Sequence, residues 1–529
     1  MSAAGTIGQG TPPLVAALSD GRKLAIFAVM AFGQFMALLD TQIVAASLNS
    51  IQSGLSAGPD EIAWVQTAYL MAEIVMIPLA AFLSQALSTR WLFTLSAVLF
   101  VISSLACGMA WSIQSMTFFR AVQGFVGGAM VPTVFATGFT LFTGKRRAMV
   151  PAVLGVASTL APTLGPTIGG WITDVSSWRW LFFINIVPGT AIAILMPLLG
   201  KVDEPSLGML KRIDWLHAAS LALFLGALQY VLEEGPRHQW FEDQAVSTAA
   251  WISFVGAVVF FERSFFSTMP ILKLTPFKRP TFALACALSV VIGFGLYSVT
   301  YLTPIFLGRV RGFSSLDIGT TVFVTGIFMT FGAPIAARMT TILDQRIVMS
   351  VGFSLFAFSC WLFSGITADW GFWELLPAQA VRGFAILLCI VPSVGMALNG
   401  VPQEELRYAS GLFNLMRNLG GAIGIASVTT WLQDYGRIHG ERFGEDLSNA
   451  NTSGLAQAIA RVSAFTPDMQ HARLLIDGEL SQFVTQQALA LAFRDVFFLM
   501  AGLFVAAMLL IPFAKTAILN DDAPPLEAH

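Results

Sequence analysis

Apolar runs about the length of a bilayer crossing, separated by short polar connections, occupy most of the chain between residues 24 and 513. A helix needs about 20 mostly apolar residues to span the hydrocarbon core. Runs of that length fall at 24–50, 62–84, 91–111, 113–141, 148–173 and 181–200, then at 214–233 and 247–263. A last group falls at 280–307, 316–338, 347–367, 374–399, 408–433 and 488–513. Run length predicts helices, because barrel strands alternate apolar and polar positions over about 10 residues. The first run follows Arg22 and Lys23. It exceeds the roughly 7–15 apolar residues of a secretory signal and reads as an uncleaved first span. One connection breaks the pattern. The stretch 434–487 is polar, contains Pro467 and an amphipathic segment at 455–462, and reads as an excursion carrying short helices.

Composition sharpens this. Of 529 residues 56% are hydrophobic and 11% charged, against about 25% charged in an ordinary soluble domain. Such a chain in water would expose large apolar patches, whereas lipid solvates them and helices satisfy their own backbone groups. The net charge of −2 gives no basis for nucleic-acid binding. Cys107, Cys286, Cys360 and Cys389 all lie inside apolar runs without metal-ligand spacing, so neither a disulfide framework nor a metal site is expected. No phosphate-binding P-loop pattern is present, which argues against a nucleotide as energy source or cofactor.

Basic residues set an orientation. With a cytoplasmic N-terminus, the inner connections hold Arg22, Lys23, Arg90, Lys145, Arg146, Arg147, Lys201, Lys211 and Arg212. They also hold Arg263, Lys273, Lys278, Arg279, Arg338, Arg346, Arg407 and Lys515. The outer connections hold only Arg179, Arg237, Arg309 and Arg311. This is the bias of the positive-inside rule, and it predicts an even number of spans with both termini inside.

Short strings recur in order. Pro78-Leu79-Ala80-Ala81 returns as Pro334-Ile335-Ala336-Ala337, an offset of 256. Ala121-Val122-Gln123-Gly124-Phe125 returns as Ala380-Val381-Arg382-Gly383-Phe384, an offset of 259. Leu164-Gly165-Pro166-Thr167-Ile168-Gly169 returns as Leu419-Gly420-Gly421-Ala422-Ile423-Gly424, an offset of 255. The second, fourth and fifth helices of the first group thus match those of the last group. Two parallel six-helix bundles follow, 24–200 and 280–513, with an inserted pair in 201–279 and tails at 1–23 and 514–529. Such duplication is a transporter architecture with substrate held between the halves.

Charged residues within spans are few. Asp40 lies in the first, Glu73 in the second, Arg120 in the fourth, Arg382 in the twelfth and Arg417 in the thirteenth. Each would cost about 2.5–3.5 kcal/mol or more facing lipid, so each must face a cavity or a partner. Asp40 and Glu73 are candidate proton carriers. Arg120 with Gln123, and Gln379 with Arg382, lie one helical turn apart; they suit either a polar cavity or structural hydrogen bonds between helices. Asn414 and Arg417 complete the candidate substrate cavity. Glu73 could instead belong to a polar network with Arg120. Gly165, Pro166, Gly169 and Gly170 combine small residues that permit close helix approach with a proline that bends the helix.

These residues resemble the major facilitator superfamily, and within it the fourteen-helix drug:proton antiporters of the EmrB/QacA type. Leu39-Asp40-Thr41-Gln42-Ile43-Val44 is similar to the first-helix motif of that group. Arg120-Ala121-Val122-Gln123-Gly124 is similar to the fourth-helix motif, whose Arg is associated with proton coupling. Gly165-Pro166-Thr167-Ile168-Gly169-Gly170 resembles the fifth-helix antiporter motif, which marks exporters. Trp178 to Asn185, Asp214-Trp215 and Arg417-Asn418-Leu419-Gly420-Gly421 also fit. The loop after the second helix departs from the family pattern. Ala81 to Arg90 lacks its Gly, its Asp and most of its basic residues, so the gating contact there must be weakened or replaced.

The resemblance implies an all-α integral membrane protein of the 6 + 2 + 6 kind, not an enzyme, in the inner membrane. It implies proton-coupled efflux of small amphipathic compounds, with a periplasmic adaptor and an outer-membrane channel as candidate partners and 434–487 as the docking stretch. Competing readings are a dedicated exporter of one metabolite, siderophore or fatty acid, and a non-transporting receptor or scaffold.

Overall fold

The computed structural model describes residues 13–267, 270–399, 401–449 and 469–513. Among them every regular element is helical. A first group of six long helices comprises α1 (Asp20–Ala46), α2 (Trp64–Leu87), α3 (Thr89–Gly108), α4 (Ile113–Leu141), α5 (Met149–Val175) and α6 (Trp180–Leu199). The pair α7 (Trp215–Glu234) and α8 (Gln244–Phe266) follows. A second group comprises α9 (Pro280–Arg309), α10 (Ser315–Ile342), α11 (Gln345–Phe363), α12 (Phe372–Leu398), α13 (Gln403–Asn449) and α14 (Met469–Met508).

Thirteen of these helices, rather than the fourteen expected, are long and apolar enough to cross a membrane. The exception is α13. It lies over the run expected at 408–433 and packs along α9 within the bundle, but Asn414, Arg417, Asn418 and several glycines dilute its apolar content.

The connection at 434–487 also differs from expectation. At its two ends α13 runs on unbroken to Asn449 and α14 starts at Met469, and 450–468 lie outside the described residues. Helices of 47 and 40 residues measure about 70 and 60 Å, against a hydrocarbon core of about 30 Å. Both helices are therefore longer than a single crossing needs, and His439 of α13 meets Asp495 of α14 at 2.8 Å. The amphipathic segment expected at 455–462, residues 1–12 of the first tail and the tail 514–529 lie outside the described residues.

Burial orders the helices. The apolar windows of α4 and α12 are each 89% buried, whereas that of α8 is 22% buried. So α4 and α12 line the interior, and α8 faces the surroundings with Trp251, Phe254, Phe265 and Phe266 exposed. These are the faces that lipid solvates.

The recurring strings mark recurring contacts. A Cβ on Gly124 of α4 would stand 2.2 Å from the Tyr69 carbonyl of α2, and one on Gly383 of α12 would stand 2.7 Å from the Thr325 carbonyl of α10. Likewise Gly165 of α5 abuts Gln42 of α1, and Gly420 of α13 abuts the Val290 carbonyl of α9. Each glycine is required because a neighbouring backbone occupies the space of a side chain. Across the two groups α5 packs on α10 and α12, and α2 packs on α13. The pair α7–α8 packs mainly on α2, where Thr67 donates to Glu234 at 3.0 Å.

Candidate functional site

The most buried ionic cluster lies inside the first group. Asp40 of α1 is fully buried, as are Arg120 and Gln123 of α4. Arg120 Nη1 meets Asp40 Oδ2 at 2.7 Å. The other carboxylate oxygen accepts from Asn185 Nδ2 at 2.6 Å and Gln123 Nε2 at 3.1 Å. Arg120 also donates to Gln123 Oε1 at 2.8 Å and to the Val65 carbonyl at 3.2 Å, and it lies over the Tyr69 ring at 4.2 Å. Local structure places these groups. Arg120 and Gln123 are one turn apart on α4, and Asn185 sits where α6 breaks between Phe183 and Ile186. Its amide is further held by Ser104 at 3.1 Å.

Of the two roles open to Asp40, facing a cavity or facing a partner, the structure shows the partner. Glu73 stands apart. It does not join the Arg120 network, and among the described residues its side chain makes no hydrogen bond or ion pair. It is half-buried one turn beyond Tyr69 on α2, the helix that packs on α13 of the second group. It feels the charge of Arg120, and Tyr297 of α9 feels both Glu73 and Arg417. Glu73 thus lies on the helix of the first group that meets the second, close to the seam.

The second group holds two buried cations that no acid pairs among the described residues. Arg382 is buried and donates to Thr325 Oγ1 at 2.7 Å, which donates in turn to Gln379 at 3.1 Å. Gln379 and Arg382 are thus joined through a hydroxyl of α10. Arg417 is buried, donates to Asn414 at 2.7 Å, and lies 5.6 Å from the Phe135 ring of α4, across the seam. Neither Arg382 nor Arg417 has a carboxylate within 4 Å among the described residues. By contrast, Arg120 has Asp40.

The fifth-helix motif lies at the same seam. Gly165 and Gly169 let α5 close on α1 at Gln42 and Ile43, just past Asp40, while Thr167 meets Gly319 of α10. Pro166 removes one backbone donor within α5, and the Gly170 carbonyl accepts from the Thr173 hydroxyl at 2.9 Å.

At the end where α1 begins, a cavity of about 910 Å³ opens between the groups. Gln85 of α2, Thr133 and Thr137 of α4, Asp203, and Gln403 and Arg407 of α13 line it. Asp203 lies beside the degenerate loop after α2. Its carboxylate accepts the Thr89 N–H at 2.9 Å and the Thr89 hydroxyl at 2.8 Å, at the start of α3, and it pairs with Arg407 from the second group. The segment after α6 thus brings an acid to the start of α3 and to the second group.

Sequence reasoning missed Asn185, Ser104, Thr325, Tyr297 and the Asp203–Arg407 pair. Asn185 had a signal, since it ends the recognisable 178–185 stretch. The others are common polar residues whose partners lie far along the chain.

The comparisons agree with this architecture. A model of the Major Facilitator Superfamily matches residues 30–425. The chain is 39% identical to the colistin resistance protein EmrB of Acinetobacter baumannii over 92% of this chain and 95% of that one. It is 28% identical to the multidrug export protein EmrB of Escherichia coli over 94% and 96%. Among solved structures, the proton:xylose symporter XylE superposes with a TM-score of 0.60 at 13% identity, covering 94% of this chain and 97% of that one, a likeness of fold alone. With its duplicated packing, its inserted pair and this coverage, the chain belongs to the Major Facilitator Superfamily, in the branch of the EmrB export proteins.

Proposed function

We propose that this protein is a proton-driven exporter of small amphipathic compounds, set in the inner membrane with both termini in the cytoplasm. The N-terminal bundle 24–200 and the C-terminal bundle 280–513 rock about a central site, and the inserted pair within 201–279 rides on the first bundle through α2. The observation that carries the reading is Glu73, a half-buried carboxylate without a partner, on the helix that meets the other bundle.

The mechanism follows from charge. A carboxylate at the seam holds a proton or favours a substrate, but not both at full strength. Facing outward, Glu73 takes a proton and substrate leaves. Facing inward, it releases the proton and the next substrate enters. Arg120 feels the change because its charge reaches Glu73. The Asp40–Arg120 pair relays it to α1, α4 and α6, and Gly165, Pro166, Gly169 and Gly170 let α1 and α5 move as one body. Gln123, Gln379, Arg382, Asn414 and Arg417 supply the polar faces of the substrate cavity. Closure at the inner end uses Asp203 and Arg407. The outer ends of α13 and α14 would meet a periplasmic adaptor leading to an outer-membrane channel.

A second reading, export of one class of organic acid, is favoured by Arg417 and Arg382, two buried guanidinium groups suited to carboxylates. Proteoliposomes with an imposed pH gradient separate the two. Proton-driven movement of unrelated amphiphiles, lost in Glu73→Gln while folding is kept, supports the broad exporter. Movement of acids alone supports the second. Transport by Glu73→Gln at the wild-type rate removes Glu73 from the coupling.

A further inference from the structure

A groove of about 900 Å³ separates the pair α7–α8 from α13. Its walls are apolar: Phe224 and Leu225 of α7, Phe260 and Phe261 of α8, Leu412 and Leu415 of α13. It is a different space from the cavity between the bundles, although Lys273 and Glu404 border both. Its outer lip faces lipid, since Phe261 is 44% exposed and Phe265 is 71% exposed.

One end of the groove is polar. Lys273 and Lys278, both exposed, border it on the segment that leads into α9. Lys273 rests 5.4 Å from the Tyr408 ring, which fixes its height beside α13. Two acids lie nearby. Glu405 is met by Arg279 at 3.6 Å, and Glu404 is exposed at the border with the inner cavity. Lys273, Lys278 and Arg279 outnumber Glu404 and Glu405, so the mouth keeps a positive balance. This end coincides with the basic end of the bundle, where Arg146 meets Asp20 and Arg407 meets Asp203.

We infer that the groove binds an anionic phospholipid of the inner leaflet, with acyl chains along the Phe and Leu walls and the phosphate between Lys273 and Lys278. An apolar slot open to lipid, ending in cations at headgroup depth, has the complementarity of an acidic lipid; basic pockets between spanning helices recognise such headgroups. A zwitterionic lipid would fill the walls equally well but gain less at the lysines. The lipid has a mechanical place. The pair α7–α8 packs mainly on α2 and touches α13 more lightly, so the groove lies where the pair and the second bundle would otherwise part. A bound lipid bridges them.

The test uses purified full-length protein in detergent, titrated with dioleoylphosphatidylglycerol or dioleoylphosphatidylcholine. Lipid retention is read by native mass spectrometry and stability by the thermal unfolding midpoint. The wild type is expected to retain the glycerol lipid preferentially and to gain midpoint from it. Lys273→Gln with Lys278→Gln should weaken its retention by about thirtyfold, about 2 kcal/mol from two juxtamembrane lysines, leaving the choline lipid unaffected. Leu415→Trp, which fills the groove, should reduce retention of both lipids with the lysines intact. Equal retention of the two lipids by the wild type, or undiminished preference in the double lysine variant, overturns the inference. Neither readout involves a proton gradient or a transported compound, so it stands or falls apart from the exporter reading.

Discussion

Replacing Asp40 by Asn removes one charge and keeps the shape. The residue is fully buried and its carboxylate takes three side-chain hydrogen bonds, from Arg120, Gln123 and Asn185. In Asp40→Asn, the amide oxygen still accepts from Asn185 and Gln123. The new NH2 group then points at Arg120 Nη1, donor against donor. Arg120 keeps Gln123, the Val65 carbonyl and the Tyr69 ring but no acid. Breaking a buried pair from one side costs about 3–5 kcal/mol, because the surviving charge stays buried without compensation. Asp40→Asn is therefore expected to lose stability of that order. Arg120→Gln should lose a similar amount. The double variant should recover much of the loss, because a neutral pair of similar volume carries no uncompensated charge. Equilibrium unfolding in mixed micelles gives the four corners of the double-mutant cycle. A coupling energy of about 2 kcal/mol or more is expected, and additivity within about 0.5 kcal/mol would refute the ion-pair reasoning.

Three further outcomes follow from other parts of the structure. Asp203→Asn removes the carboxylate shared by Thr89 and Arg407 and should favour the inward-open state; a cysteine at Thr137 should label faster from the cytoplasmic side, and an unchanged rate would count against the closure. Asp214 lies just before α7. Burial works against its charge, but hydrogen bonds from the His217 N–H, Ser267 and Arg263, with the Arg263 charge, hold its carboxyl below the usual range. A depressed folded value means that this stabilisation is complete above the ordinary carboxylate pKa of about 3.9 and fades as pH falls below it. Amide protection of α7 and α8, corrected for the intrinsic exchange rate, should thus fall in acid, and in Asp214→Asn it should be low at every pH. Gly124→Ala would put a methyl 2.2 Å from the Tyr69 carbonyl; forcing α4 from α2 should cost about 1–3 kcal/mol in unfolding, and a neutral result would show that the contact is looser than described.

Much of the architecture was legible in the chain because lipid imposes a one-dimensional rule. A segment that crosses must be long, apolar and helical, and run length reports all three. The duplicated strings were legible because they encode local necessities: Gly124 and Gly383, or Gly165 and Gly420, leave room for a neighbouring backbone. The sequence also exposed Asp40, Glu73, Arg120, Arg382 and Arg417 as charges that the membrane makes expensive. It could not assign partners. Arg120 lies far from both Asp40 and Glu73 along the chain, and either acid satisfies the same cost argument. Only helix packing decided that Asp40 is sealed in the ion pair while Glu73 stands half-buried at the seam. The acid that meets Thr89 at the start of α3 is likewise Asp203, more than 100 residues away. Hydropathy is a property of each segment by itself, whereas an ion pair belongs to two segments and takes its energy from a distance that exists only once they pack.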